Sequence, residues 1–335
     1  MRQIISFLLF AALTLSSFAQ DMHFSQFGKS YLALNPALTG SFNANYRLNA
    51  NYRNQWSSIS EPYKTFAFAA DAKGMINSLD NLHLGILLFN DEAGIGGLTT
   101  TQAMLSIASH LKFGNYSEFT LKGGIQAGIL SRSIDFNKFS FDQQFDGTKY
   151  DPNSQSGEDF ERDSYINPAL NAGVALQFQI DRDKVVEAGV GVFNLLRPNQ
   201  SFQGSNVPLD LRYTLYARAD LALGDQYDIL PALLYSSQAK YQELVIGTNF
   251  RYKLFTNYKT ENLYLGFWYR NKDALITSIG FDYHNWNIGL SYDINTSRLN
   301  PASRHRGGLE LSLTYLIRVF KAPDIKRYIQ CPDFL

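Results

Sequence analysis

Long apolar stretches are missing from this chain. Beyond the first twenty positions no run approaches the roughly twenty apolar residues that a membrane-crossing helix needs. That excludes an α-helical membrane protein. It does not exclude a barrel, whose wall shows lipid only every second residue. Cysteine is almost absent too: Cys331 stands alone, so no internal disulfide can form. Net charge is also lacking, with 30 Lys and Arg against 30 Asp and Glu, which removes any bulk electrostatic attraction to nucleic acid. Familiar catalytic chemistry is missing as well. The histidines His23, His83, His110, His284 and His305 are scattered, without the i, i+4 partner of a helical zinc site. There is no Gly-x-Ser-x-Gly, no phosphate loop and no pair of carboxylates in coincident strand register. The sequence therefore offers no catalytic, metal or cofactor site, and no enzyme is expected.

What is abundant is aromatic, 20 Tyr and 25 Phe, set in short runs that alternate with period two. From Asn45 to Trp56 one face reads Tyr46, Leu48, Ala50, Tyr52 and the other Asn45, Arg47, Asn49, Asn51, Arg53, Gln55. Such a strand suits lipid on one side and water on the other. The pattern recurs near 44–56, 63–72, 81–90, 101–113, 118–131, 166–180, 184–195, 210–223, 227–236, 241–254, 262–270, 273–283, 286–294 and 306–319. This predicts an all-β transmembrane antiparallel β-barrel of fourteen strands over residues 44–319. The connections agree: hairpin-sized Gly114-Asn115, Arg182-Asp183 and His284-Asn285 follow even strands, while Arg132–Tyr165, Leu196–Leu209 and Asn295–Arg304 follow odd ones. That parity puts the long loops outside the cell and both ends of the mature chain in the periplasm. Two connections depart from it: Met75–Asp80 is even and of middling length, and Asn271–Lys272 is odd and very short. Trp56, Tyr63, Trp268, Tyr269, Tyr283, Trp286 and Tyr292 fall near strand ends, as an interfacial girdle requires. A soluble all-β domain would explain the alternation, though not the even count or the loop parity.

Four segments lie outside the wall. Met1–Ala19 reads as a signal peptide, with Arg2, the apolar Ile4–Leu15 and the cleavage triplet Ser17-Phe18-Ala19. Residues 20–43 are too irregular for a strand and too aromatic for a free tail. His23, Phe24 and Phe27 need packing partners, and Asn35-Pro36-Ala37-Leu38-Thr39-Gly40 is a turn. A plug in the barrel is expected, with a periplasmic peptide ordered by a partner as the alternative. Asn167-Pro168-Ala169 and Asn300-Pro301-Ala302 repeat the triplet and suggest strand-entry turns. The loop Arg132–Tyr165 is acidic and holds Phe136, Phe139, Phe141, Phe145 and Phe160. It reads as a docking surface or cap rather than a calcium turn, since Asp146–Asp151 is too poor in oxygen ligands for an EF-hand. The tail 320–335 suggests a periplasmic contact through Lys326, Arg327 and Cys331.

Asp21-Met22-His23-Phe24-Ser25-Gln26-Phe27 followed by Asn35–Gly40, with Tyr-Arg-Asn-Gln-Trp at 52–56, Pro62-Tyr63-Lys64-Thr65 and the terminal Cys331-Pro332, resembles the PorP/SprF family along essentially the whole mature chain. Those are outer-membrane components associated with type IX secretion in Bacteroidota. The resemblance implies a barrel in outer-membrane lipid. It would help export or anchor a secreted surface protein bearing a C-terminal sorting domain, a gliding adhesin being one kind, and would contact periplasmic components. Cargo would meet Phe136, Phe139, Phe141 and Phe145 of the long loop and the inward Arg47, Arg53, Arg212 and Arg218. The fatty-acid-channel family has a similar Asn-Pro-Ala plug segment, which makes a channel for hydrophobic or small solutes the second expectation.

Overall fold

In a computed structural model of the chain, the described residues are 24–55, 57, 61–74, 81–114, 118–151, 154, 156–158, 160–256, 259–297 and 303–319. The signal peptide, His23, Trp56, Asn300–Ala302 and the tail with Lys326, Arg327 and Cys331 lie outside them. The strands are β1 Tyr46–Gln55, β2 Tyr63–Lys73, β3 Leu82–Ala93, β4 Leu98–Phe113, β5 Phe119–Ser133, β6 Ser164–Asp181, β7 Lys184–Phe193, β8 Arg212–Ala222, β9 Tyr227–Gln238, β10 Tyr241–Thr256, β11 Lys259–Arg270, β12 Ala274–Tyr283, β13 Trp286–Asn295 and β14 Arg306–Ile317. Each pairs antiparallel with its sequence neighbour, and β1 pairs with β14, so fourteen strands close one barrel without an edge. Among the described residues no helix is long and apolar enough to cross a membrane.

The alternation sets the register of the wall. Tyr46, Leu48 and Tyr52 of β1 point outward, while Arg47, Asn49, Asn51 and Arg53 are buried toward the lumen. Leu105 in β4 is 67 % exposed between Met104 and Ser106, which are buried. A one-residue slip would place every one of these groups on the wrong face. Outward aromatics band the short-turn end. Phe113, Phe119 and Phe178 stack across β4, β5 and β6, and Trp286 packs on Tyr315 at 4.3 Å. Two residues expected in the girdle stand elsewhere: Trp268 faces the lumen against Phe27, and Tyr63 lines a luminal cavity. Their neighbours Tyr269 and Lys64 hold the outward positions, so the side-chain period of two puts Trp268 and Tyr63 inside.

Asn167-Pro168-Ala169 is not a strand-entry turn. It lies within β6, paired with Leu130, Ile129 and Gly128 of β5, where β6 extends past the last residue of β7 with which it pairs. Proline is tolerated there because no β7 carbonyl waits for its missing N–H. A second proline has a visible effect on the wall. The β8–β9 ladder skips from Arg218↔Ala232 to Leu221↔Ile229, passing over Pro231.

Candidate functional site

The lumen is occupied by the chain's own N-terminal segment. A 3-10 turn at Phe27–Lys29, a helical turn at Tyr31–Leu34 and a second 3-10 turn at Pro36–Leu38 cross it as a chord. Short turns arise here because Pro36 pre-sets φ and Asn35 accepts a hydrogen bond from the Ala37 amide at 2.8 Å. Three sets of wall residues hold the chord.

At the level nearer the long loops the Ser25 amide donates to Glu310 (2.6 Å) and its hydroxyl to Asp293 (2.7 Å). The same hydroxyl accepts from Arg53 (2.5 Å) and Arg270 (2.8 Å). Arg53 and Arg270 each stand 2.9 Å from Asp293, and Arg270 also pairs with Glu243 at 2.9 Å. Asp293 and Glu310 thus converge although their strand positions gave no hint of a pair. Their oxygens are committed to arginines, the Ser25 hydroxyl and backbone amides, which makes them an ionic knot rather than an acid–base couple.

Halfway across, the Asn35 side-chain amide donates to the carbonyls of Val174 and Val190, both at 3.1 Å. Thr214 and Gln126 donate to the Leu34 and Leu32 carbonyls. The backbone approaches the wall so closely that only glycine fits opposite: a Cβ on Gly124 would stand 2.6 Å from the Ala37 nitrogen, and one on Gly173 2.8 Å from Asn35 Cγ. On the far side the Arg47 guanidinium makes two bonds to Asp71 (2.9 and 2.7 Å), donates to the Leu38 carbonyl and lies 4.0 Å from the Tyr31 ring centre. The Gly40 amide completes the Asp71 shell at 2.7 Å. Phe24 meets Phe89 edge-on, and Phe27 meets Trp268.

Of the arginines expected to face a partner, Arg47 and Arg53 are therefore buried and hold the chord. Arg218 pairs with Glu187 at 2.8 Å, and Arg212 lies over the Phe193 ring at 4.2 Å. The sequence reading missed Asp71, Arg270, Asp293 and Glu310. The available signal was a charged residue at an inward position of a strand.

The chord divides the lumen. A cavity of about 500 Å³ lies toward the long loops, and one of about 820 Å³ toward the short turns; their linings share only Phe27 and Leu34. Over the smaller one the long loops form a cap. Phe136 stacks on Phe160 at 3.6 Å and meets Phe202 of the next loop edge-on at 5.9 Å; Phe141 and Phe139 extend the cluster, Phe139 lying over Gly96. Backbone bonds from Glu161 and Arg162 to the Phe202 carbonyl join the two loops. Phe145 bridges to Tyr150 in a small hairpin. Asp146 at its tip accepts from the Thr148 and Lys149 amides (2.8 and 2.7 Å), which hold its carboxyl below the usual range. Phe136, Phe139 and Phe141 are thus half-buried in the cap, whereas Phe145 is 53 % exposed; Tyr150, Leu196, Val207 and Ile95, on connections at the same end of the barrel, are exposed as well. Among the described residues no group of three or more His, Cys, Asp or Glu could hold a metal ion.

The model of a protein family described as "Type IX secretion system membrane protein PorP/SprF" matches residues 16–315. No curated protein matches the chain. Among solved structures it is similar to the Ralstonia pickettii toluene transporter TbuX, at 11 % identity and TM-score 0.50, covering 88 % of this chain and 94 % of that one. It is also similar to the Pseudomonas putida toluene transporter TodX (11 %, 0.49, 86 % and 93 %) and to a Pseudomonas aeruginosa FadL homologue (10 %, 0.48, 86 % and 94 %). At such identities the likeness is one of fold.

Proposed function

Because the chain belongs to the PorP/SprF family of type IX secretion system membrane proteins, and is accordingly an outer-membrane barrel, we propose that it binds a secreted surface protein through that protein's C-terminal sorting domain and helps to export or anchor it. The long-loop end, outside the cell, is the docking face. One observation carries this reading. Phe145, Tyr150, Leu196, Val207 and Ile95 are exposed apolar side chains on the connections at the long-loop end, where the Phe136–Phe160–Phe202 cluster braces the cap. Large apolar side chains left exposed on extracellular loops favour a protein partner there, and a cap braced by stacked aromatics presents them with little ordering cost on binding. The chord supports anchoring over conduction, since a channel for hydrophobic or small solutes requires it to move aside. Arg47 and Arg53 serve indirectly, by fixing the chord.

Replacing Phe145 and Leu196 together with serine leaves the aromatic cluster untouched. The expected result is normal barrel abundance in the outer membrane with the surface protein released into the medium. Cargo that still co-purifies with the folded double variant refutes this docking face.

A further inference from the structure

The larger cavity, on the short-turn side of the chord, has a charge pattern that cargo docking at the opposite end does not use. Five cationic side chains line it, Lys29, Lys73, Lys112, Lys122 and Arg218, against two carboxylates, Glu187 and Asp220. Both carboxylates are already matched: Glu187 pairs with Lys122 and with Arg218, and Asp220 with Arg251 at 2.7 Å. The other three lysines have no carboxylate within ion-pair distance among the described residues. Lys29 donates to the Asn287 side-chain carbonyl at 2.6 Å, and Lys73 reaches the Phe42 carbonyl at 3.3 Å. Lys112 stands exposed on the inward face of β4, near enough to Lys73 for the two charges to repel. Lys73 and Lys112 are both exposed, so they place positive charge at the mouth of the cavity, where an entering anion would meet it. Deeper in, the lining changes character: Phe27, Tyr31, Leu34, Ala232 and Trp268 make an apolar floor. At about 820 Å³ the space is of ligand size.

We propose that this cavity binds a single-chain amphiphile, its anionic head, carboxylate or phosphate, held by Lys73 and Lys112 at the mouth and its apolar chain against Trp268 and Ala232. The site is independent of cargo docking, because the chord separates the two chambers. Cations at the entrance and apolar surface within select an anion bearing a chain over a free inorganic anion or a cationic amphiphile.

Trp268 reports occupancy. In the full-length barrel carrying Trp56→Phe and Trp286→Phe, purified in a non-ionic detergent, ω-bromoundecanoate is titrated while tryptophan emission is followed. The expected result is saturable quenching, absent with a brominated alkyl trimethylammonium of equal length. Lys73→Gln with Lys112→Gln should weaken binding about tenfold or more, the usual scale for losing charge-assisted contacts. Barrel folding is checked by the heat-dependent gel shift, and Lys112→Gln alone, on an exposed side chain, gives a second variant with a smaller weakening in the same direction. Non-saturable quenching, equal quenching by the cation, or unchanged affinity in the folded lysine variants overturns the proposal. A parallel arm uses nanodiscs of brominated phosphatidylglycerol. Quenching there that disappears in the double lysine variant, with none from the free carboxylate, places a two-chain bilayer lipid in the cavity and overturns the single-chain assignment, whereas saturable quenching by the free carboxylate supports it.

Discussion

Asn35 offers the sharpest test of how the chord is held. Its side chain is fully buried and makes three hydrogen bonds, two donated to Val174 and Val190 at 3.1 Å and one accepted from Ala37 at 2.8 Å. Asn35→Ala removes all three and leaves the Ala37 amide without that acceptor in a site too tight for rearrangement, since Gly124 and Gly173 abut the turn. At about 1 kcal/mol for each bond, the docked turn should lose about 3 kcal/mol. Its undocked population should rise by about a hundredfold. Amide exchange at Ala37 and Leu38, followed by mass spectrometry in detergent, reads this directly, and planar-bilayer conductance should rise in parallel. Asn167→Ala is the matched control: the same triplet sits in β6, where its side chain makes a single bond to the Asn199 carbonyl at 3.0 Å, so luminal exchange should stay unchanged. Equal exchange in the two variants, both correctly folded, would refute the reasoning.

Two further expectations follow from the wall and the ionic knot. Leu105→Arg, near the middle of an outward strand face, should make refolding into lipid less favourable by about 2–4 kcal/mol, and an unchanged denaturation midpoint contradicts the assigned facing. Arg53→Leu should cost about 3–5 kcal/mol because Asp293 and Glu310 lose a buried counter-charge, whereas Arg53→Leu with Glu310→Leu should recover a good part of it; a double variant no better than the single one sinks that account.

The wall was legible from sequence because its determinant is local. Side chains two apart along β1 or β4 share a face, and lipid on one side fixes which face is apolar. The chord was legible as a segment needing partners, through Phe24, Phe27 and the Asn35–Gly40 turn, but not as a set of contacts. Ser25 and Glu310 are 285 positions apart, and only barrel closure through the β1–β14 register brings them together. Trp268 and Tyr63 were misplaced because nearness to a strand end was given weight over parity along the strand. Asn167-Pro168-Ala169 showed that one triplet can serve as a turn when it crosses the lumen and as extended chain when β5 pairs with it. The loop phenylalanines were visible, yet the split between those that brace the cap and Phe145, which projects from it, depends on Phe202 in a different loop.

The seam between β1 and β14 has a consequence for assembly. Ser25 is bound at once by Arg53 of β1, by Asp293 of β13 and by Glu310 of β14, so the ionic knot needs residues from both sides of the closing joint. Until β14 arrives, Arg53 faces a lumen without Glu310, and the chord lacks its upper fastening. A segment made early is thus locked late, when the last strand supplies its acid. The knot makes completion of the seam a condition for sealing the lumen, and a partly closed barrel is left unsealed, distinguishable from a finished one by its own interior.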